Sequence, residues 1–193
     1  MTINIYITGV GGQGIGMLSE ALIRAADHAG LTVKGVDTHG LAQRGGIVVS
    51  HLRIGEHVNS PLIPVGQADI AVALERHEAL RALNGSLKEG GTLVWYDTVW
   101  QPLEVRVGAA PEVAAETIAQ ECSRRKVHNE RVRVDDLPDT RMQNIALLAT
   151  ICKRELIPGV KRQHYEAAMS DLMDGKMLEK NNILFAKLIG TER

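Results

Sequence analysis

Cysteine is nearly missing from this chain. Cys122 and Cys152 are the only two in 193 residues, and neither belongs to a Cys-x-x-Cys pair. A four-cysteine iron–sulfur site therefore cannot be built from this chain alone. Each thiol reads as a small buried hydrophobe of a reduced compartment. Aromatic residues make up 3%, with a single Phe, too few for the stacking platforms that hold single-stranded nucleic acid. Neither charge sign dominates: the formal net charge is −1, and no basic stripe or arm is visible, so nucleic acid is not an expected partner. No apolar run approaches the roughly 18 residues of a membrane span, and the N-terminus enters a strand without the basic start of a signal peptide. These absences lead us to expect a soluble, cytoplasmic protein. The seven histidines are scattered, without HExxH-type spacing.

What is present is concentrated in residues 3–46, INIYITGVGGQGIGMLSEALIRAADHAGLTVKGVDTHGLAQRGG. A short apolar strand over 3–8 runs into a glycine-rich turn. A helix over 15–29 follows, with Ile15, Leu18, Leu22, Ala25 and Ala29 on one stripe. A second strand over 31–36 ends at Asp37. Gly9, Gly11 and Gly14 match G-x-G-x-x-G between strand and helix, and Asp37 lies roughly 20 residues on, as in a dinucleotide-binding fingerprint. A tight turn of this kind brings backbone N–H groups and a helix N-terminus up to a phosphate. The alternative is that the glycines only let helix and strand pack closely. Residues 40–46, GLAQRGG, read as a loop in which Arg44, beside Gly45 and Gly46, is placed to meet an anion, or else is solvated or paired with Asp37. His39 reads as a hydrogen-bonded structural residue.

Downstream, strands are expected at 47–54, 68–75, 92–96, 103–107 and 131–134. Helices are expected at 75–83, 111–122, 141–156, 162–173 and 178–189. The alternation predicts an α/β fold: a doubly wound, mostly parallel Rossmann-like sheet with a helical C-terminal end, in one domain over residues 1–193. No crossover helix separates 47–54 from Asp37, so any antiparallel pairing belongs there. Glu75 stands at a strand's C-terminal end, where open α/β sheets bind ligands, or complements a helix dipole. Two prolines keep 59–64 out of a helix. Leu62 and Ile63 in that loop are exposed contact residues, or lie over the core.

The segments GVGGQGIGMLSEAL, THGLAQRGGIVVSHLRIG and NSPLIPVGQADIAVALE together resemble the gamma subunit, or gamma domain, of 2-oxoacid:ferredoxin oxidoreductases. THGLAQRGG, SPLIP and the later NIALLA look most like the small (beta) subunit of indolepyruvate ferredoxin oxidoreductase. Gly9, Gly11, Gly12, Gln13 and Gly14 match the first family motif, and Gln43, Arg44, Gly45 and Gly46 match the second. The resemblance implies a heteromeric enzyme that oxidatively decarboxylates a 2-oxo acid, of the indolepyruvate or pyruvate type, to an acyl-CoA. Thiamine diphosphate and iron–sulfur clusters would lie on larger partner subunits, with ferredoxin reached indirectly. This chain would be inactive alone, would supply no catalytic residue and no metal ligand, and would hold coenzyme A phosphates, or a partner's carboxylate, on its glycine loops. Isolated, it could form a homodimer through the Leu62–Ile63 surface. The alternative is a free-standing NAD- or CoA-binding Rossmann-like protein.

Overall fold

The computed structural model describes residues 2–39, 46–100, 105, 107–109 and 111–190. Its first element, β1 (Ile3–Val10), leads through the glycine turn into α1 (Ile15–His28), β2 (Val33–His39), β3 (Ile47–Ile54) and β4 (Ala68–Ala73). Then come α2 (Arg76–Gly85), β5 (Leu87–Tyr96), α3 (Ala115–Arg124) and β6 (His128–Val132). A 3-10 turn at Thr140–Met142 precedes α4 (Gln143–Lys153), α5 (Arg162–Leu172) and α6 (Gly175–Gly190).

The strands form one six-stranded sheet in the order β2-β3-β1-β4-β5-β6. β1, β4, β5 and β6 run parallel, while β3 is antiparallel to both its neighbours. β3 is reversed because the short connection over 40–46 is too short for a crossover. The reversed strand pairs with β1 from Ile3↔Ile54 to Val10↔Ile47 and thereby separates β1 from β2.

Side chains alternate between two faces. Ile70, Val72, Leu74, Val94 and Tyr96 face a core built with α1, α4, α5 and α6. Ala71, Ala73, Leu93 and Trp95 face a smaller core that includes buried residues of α2 and α3. Helices on both faces make the sheet doubly wound, and three helices close the chain, as expected. Among the described residues, no helix is long and apolar enough to cross a membrane.

Several boundaries differ from expectation. β2 starts and ends later than 31–36. β5 begins at Leu87, because Leu87 already pairs with Ala68 of β4, and the polar, glycine-rich Lys88–Gly91 stretch lies within the strand as an irregularity across which the register shifts. β6 (His128–Val132) starts and ends earlier than 131–134, overlapping it at Arg131 and Val132. As an edge strand of exposed and half-buried residues it carries no apolar alternation to read. The strand expected at 103–107 falls largely outside the described residues, and Val107 lies in a turn. The proline loop splits its two apolar residues: Leu62 is exposed, but Ile63 is buried, its N–H donating to His51 Nδ1 at 3.2 Å. Ile63 is therefore core, not contact surface. Cys122 and Cys152 are both buried, and burial pushes each thiol up to about 11, as suits inert structural cysteines.

Candidate functional site

The parallel strands end along one edge, where β1 delivers the glycine turn, β4 delivers Glu75, and β5 delivers Asp97. In the turn, Gln13 N–H donates to Val10 O at 3.1 Å. Gly12 and Gly14 have φ of 105° and 83°, the left-handed region that favours glycine. Gly14 is also the N-cap of α1 and offers no side-chain cap. A Cβ on Gly14 would sit 2.8 Å from Asn144 Nδ2, and one on Gly9 would sit 3.0 Å from Gln13 Oε1. Gly9 thus serves close packing, whereas Gly12, with nothing within 4 Å of a Cβ, serves the backbone bend.

Two members of the motif are already occupied by the fold. Gln13 is fully buried; its Oε1 accepts from Val10 N–H at 2.8 Å and its Nε2 donates to Leu74 O at 3.1 Å. Its amide clips the turn to β4 and does not face a ligand. Gly11 N–H donates to Gly46 O at 2.8 Å, so the two glycine motifs meet through one backbone bond. The donors left for an anion are the first N–H groups of α1, which no intrahelical carbonyl can satisfy. Gln43, Arg44 and Gly45 lie outside the described residues.

A cavity of about 480 Å³ opens beside Asn144, lined also by Met17, Met177, Arg141, Lys176 and Lys180. Asn144 Oδ1 accepts from Ile145 N–H at 2.8 Å, which leaves its NH₂ toward Gly14. Arg141 is engaged by Asp139, whose carboxyl its hydrogen bonds hold down at about 2. Lys176 and Lys180 add two cations near the uncapped helix.

Next along the edge, Asp97 is buried among arginines. Its Oδ1 accepts from Arg76 Nε at 2.5 Å and its Oδ2 accepts from Arg131 Nε at 2.8 Å, with Arg133 Nη1 3.8 Å away. Arg131 also lies 5.9 Å over the Trp95 ring. Burial alone would raise the Asp97 carboxyl, but the hydrogen bonds from Arg76 and Arg131 outweigh it and hold the group below its ordinary 3.8.

Glu75 and Glu78 are both fully buried. Glu75 caps α2 by accepting from Glu78 N–H, so the helix-end role is the one observed. Val113 N–H donates to His77 Nε2 at 3.2 Å, which leaves His77 Nδ1–H to donate to Glu75 at 3.1 Å. Glu78 accepts from Thr8 Oγ1–H at 2.8 Å and from Arg81 at 3.2 Å. Burial raises its pKa above 4.5, and the Thr8 hydrogen bond and Arg81 only partly offset this. The native chain therefore holds this proton more tightly than the unfolded chain. The stability it contributes is complete below 4.5 and is lost as pH rises through the raised native value. Glu78→Gln is expected to gain on the wild type across that window. Its Tm advantage should grow with pH and then level off. A pH-independent difference would contradict this assignment.

Asp37 accepts from Ser19 Oγ–H at 3.2 Å, and β3 stands between its strand and β1. This displaces it from the position in which a fingerprint carboxylate meets a ribose on the turn. Sequence reading missed Asn144, Asp97 and the arginines around it. Asp97 ending an apolar strand was the one available signal. Among the described residues, no group of three His, Cys, Asp or Glu side chains is placed to hold a metal ion.

Known proteins share both the sequence and this architecture. The chain is 56% identical over 81 residues to the indolepyruvate oxidoreductase subunit IorB of Archaeoglobus fulgidus, covering 42% of this chain and 40% of that protein. It is 42% identical over 107 residues to the IorB subunit of Thermococcus kodakarensis, covering 55% and 52%. The chain thus matches about half the length of these relatives. The keto/oxoacid ferredoxin oxidoreductase gamma subunit of Geobacter sulfurreducens superposes with a TM-score of 0.65 at 22% identity, over 97% of this chain and 95% of that one. A 2-oxoglutarate:ferredoxin oxidoreductase of Magnetococcus marinus, with coenzyme A bound, superposes with a TM-score of 0.71 at 18% identity, over 96% of this chain and 30% of that one. These two likenesses establish the fold. Residues 4–188 match the family model for pyruvate ferredoxin/flavodoxin oxidoreductase, and the chain belongs to that family.

Proposed function

We propose that this chain is a subunit, inactive alone, of a thiamine diphosphate-dependent 2-oxoacid:ferredoxin oxidoreductase. The complete enzyme would decarboxylate a 2-oxo acid oxidatively to an acyl-CoA and pass electrons to ferredoxin. The observation that carries this reading is the family match over residues 4–188. It is supported by a site that offers backbone N–H groups at the start of α1 and cations beside it. Thiamine diphosphate and the iron–sulfur clusters belong to larger partner subunits in this reading.

The donor set fits a coenzyme A phosphate. The uncapped N-terminus of α1 presents N–H groups over Gly12 and Gly14, Asn144 adds an amide donor, and Lys176 and Lys180 supply charge beside it. When bound, coenzyme A supplies the thiol that accepts the acyl group. The residues of this chain bind and orient its phosphates, while Met17 and Met177 give the cavity an apolar wall.

The test is to tag the chain, recover it from its native cells, and analyse the eluate by mass spectrometry and absorbance. A large partner with thiamine diphosphate and brown iron–sulfur absorbance, reducing ferredoxin with a 2-oxo acid and coenzyme A, is the expected result. A colourless chain recovered alone, under conditions that preserve weak complexes, would refute the subunit reading.

A further inference from the structure

The proline loop over 58–65 is held against the sheet by two side chains of β3. Arg53 Nη1 donates to Ser60 O at 3.0 Å and to Leu62 O at 3.4 Å, while Arg53 Nε donates to Asn4 Oδ1 at 2.9 Å. His51 works in the opposite sense, because its Nδ1 accepts from Ile63 N–H at 3.2 Å. That acceptor exists only while Nδ1 carries no proton. An imidazolium has two N–H donors and no acceptor, so turning the ring over does not restore one. We propose that His51 is the titratable half of a latch. Neutral, it fastens Ile63 into the core; protonated, it releases the loop from Ile63 onward, while Arg53 keeps its hold on Ser60.

The surroundings of the ring do not favour its charged form. On its face of the sheet, β1 places Asn4, Tyr6 and Thr8 beside it, and β2 places Lys34, Val36 and Thr38. None of these is a carboxylate. Tyr6 stands edge-on to the ring, at 5.3 Å and 89°, and burial raises its phenol above 10.0, so it is neutral here. Arg53, two residues along β3, and Lys34 are both cations. From α2, Glu78 and Arg81 act on Tyr6, and they are hydrogen-bonded to each other. The loop over 58–65 has no ionisable side chain. Burial therefore acts unopposed and holds the His51 ring below its ordinary 6.5. With the native value depressed, the latch is complete above 6.5 and is lost as pH falls through that native value. Ile63 is 8% exposed, whereas Leu62 and Val65 in the same loop are 56% and 88% exposed. Release in acid thus adds Ile63 to an apolar stretch that neutral pH holds at its two flanking residues. This inference does not depend on the oxidoreductase reading, because neither latch residue belongs to the glycine turn or to the cavity beside Asn144.

Amide exchange of the full chain would be followed by NMR from about pH 7.5 to about pH 5, with each rate corrected for its intrinsic pH dependence. Protection of the Ile63 N–H is expected to fall in acid, by up to about tenfold per pH unit for a single linked proton. Protection of Leu93, in the centre of β5, should not fall with it, which separates local release from global unfolding. His51→Asn keeps an acceptor near the Nδ1 position that does not titrate, so Ile63 should stay protected at every pH. His51→Leu offers no acceptor and should leave Ile63 weakly protected throughout. A His51 that only fills space would give one flat profile in the wild type and both variants. The inference is overturned by any of three results: pH-independent protection of Ile63 in the wild type, a wild-type pH profile persisting in His51→Asn, or an equal fall at Leu93.

Discussion

Asp97→Ala should destabilise the chain by about 3 kcal/mol, the lower end of the cost of breaking a buried ion pair from one side. The carboxylate is 3% exposed and holds Arg76, Arg131 and, at longer range, Arg133. Removing it leaves three positive groups facing one another. Arg131 and Arg133 have side chains about half exposed and can turn to water, but the Arg76 side chain is only 20% exposed and cannot do so freely. Arg76 therefore carries most of the penalty. Urea unfolding should show a lower midpoint at unchanged slope. Because the Asp97 pKa is depressed, its contribution is present above 3.8 and is lost as pH falls through the native value. The gap between wild type and variant should accordingly narrow in acid. A loss well under 1 kcal/mol at neutral pH would mean that the arginines are held by other partners.

Gln13→Ala should be comparably severe, at about 3 kcal/mol, because two buried backbone groups lose their partners at once. Val10 N–H and Leu74 O are both served by that amide, and the alanine leaves a void at a fully buried position. The effect is also local. The Val10 amide should exchange slowly with solvent in the wild type and quickly in the variant. Unchanged protection at Val10 would show that the turn is held without the Gln13 clip. Gln13→Glu is a useful companion, since it keeps the acceptor for Val10 but cannot donate to Leu74 O unless protonated.

The backbone plan was legible because its signals are local. The apolar stripe of α1 follows a helical period, and the short 40–46 connection is enough to reverse β3. Contacts between distant residues were not legible. Asp97 meets partners 21 and 34 positions away, and nothing near it in sequence announces a cluster of arginines. Gln13 looked like a ligand-facing member of its motif, because a pattern of residue types does not reveal which way an amide points. The geometry turns it inward onto β4. In the proline loop no periodicity distinguishes Leu62 from Ile63, and the His51 ring decides which one is buried.

The reversed strand has a consequence for the order in which the sheet assembles. β1, α1 and β2 come first along the chain, yet β1 and β2 are two strand spacings apart, about 10 Å. One edge of β1 therefore remains a row of unpaired N–H and C=O groups until the chain through Ile54 has formed and docked between them. Until then, any other extended segment is a competitor for that slot. The β2–β3 hairpin, closed by a short loop, is the contact that can form early, and it brings to β1 the one strand that seals it.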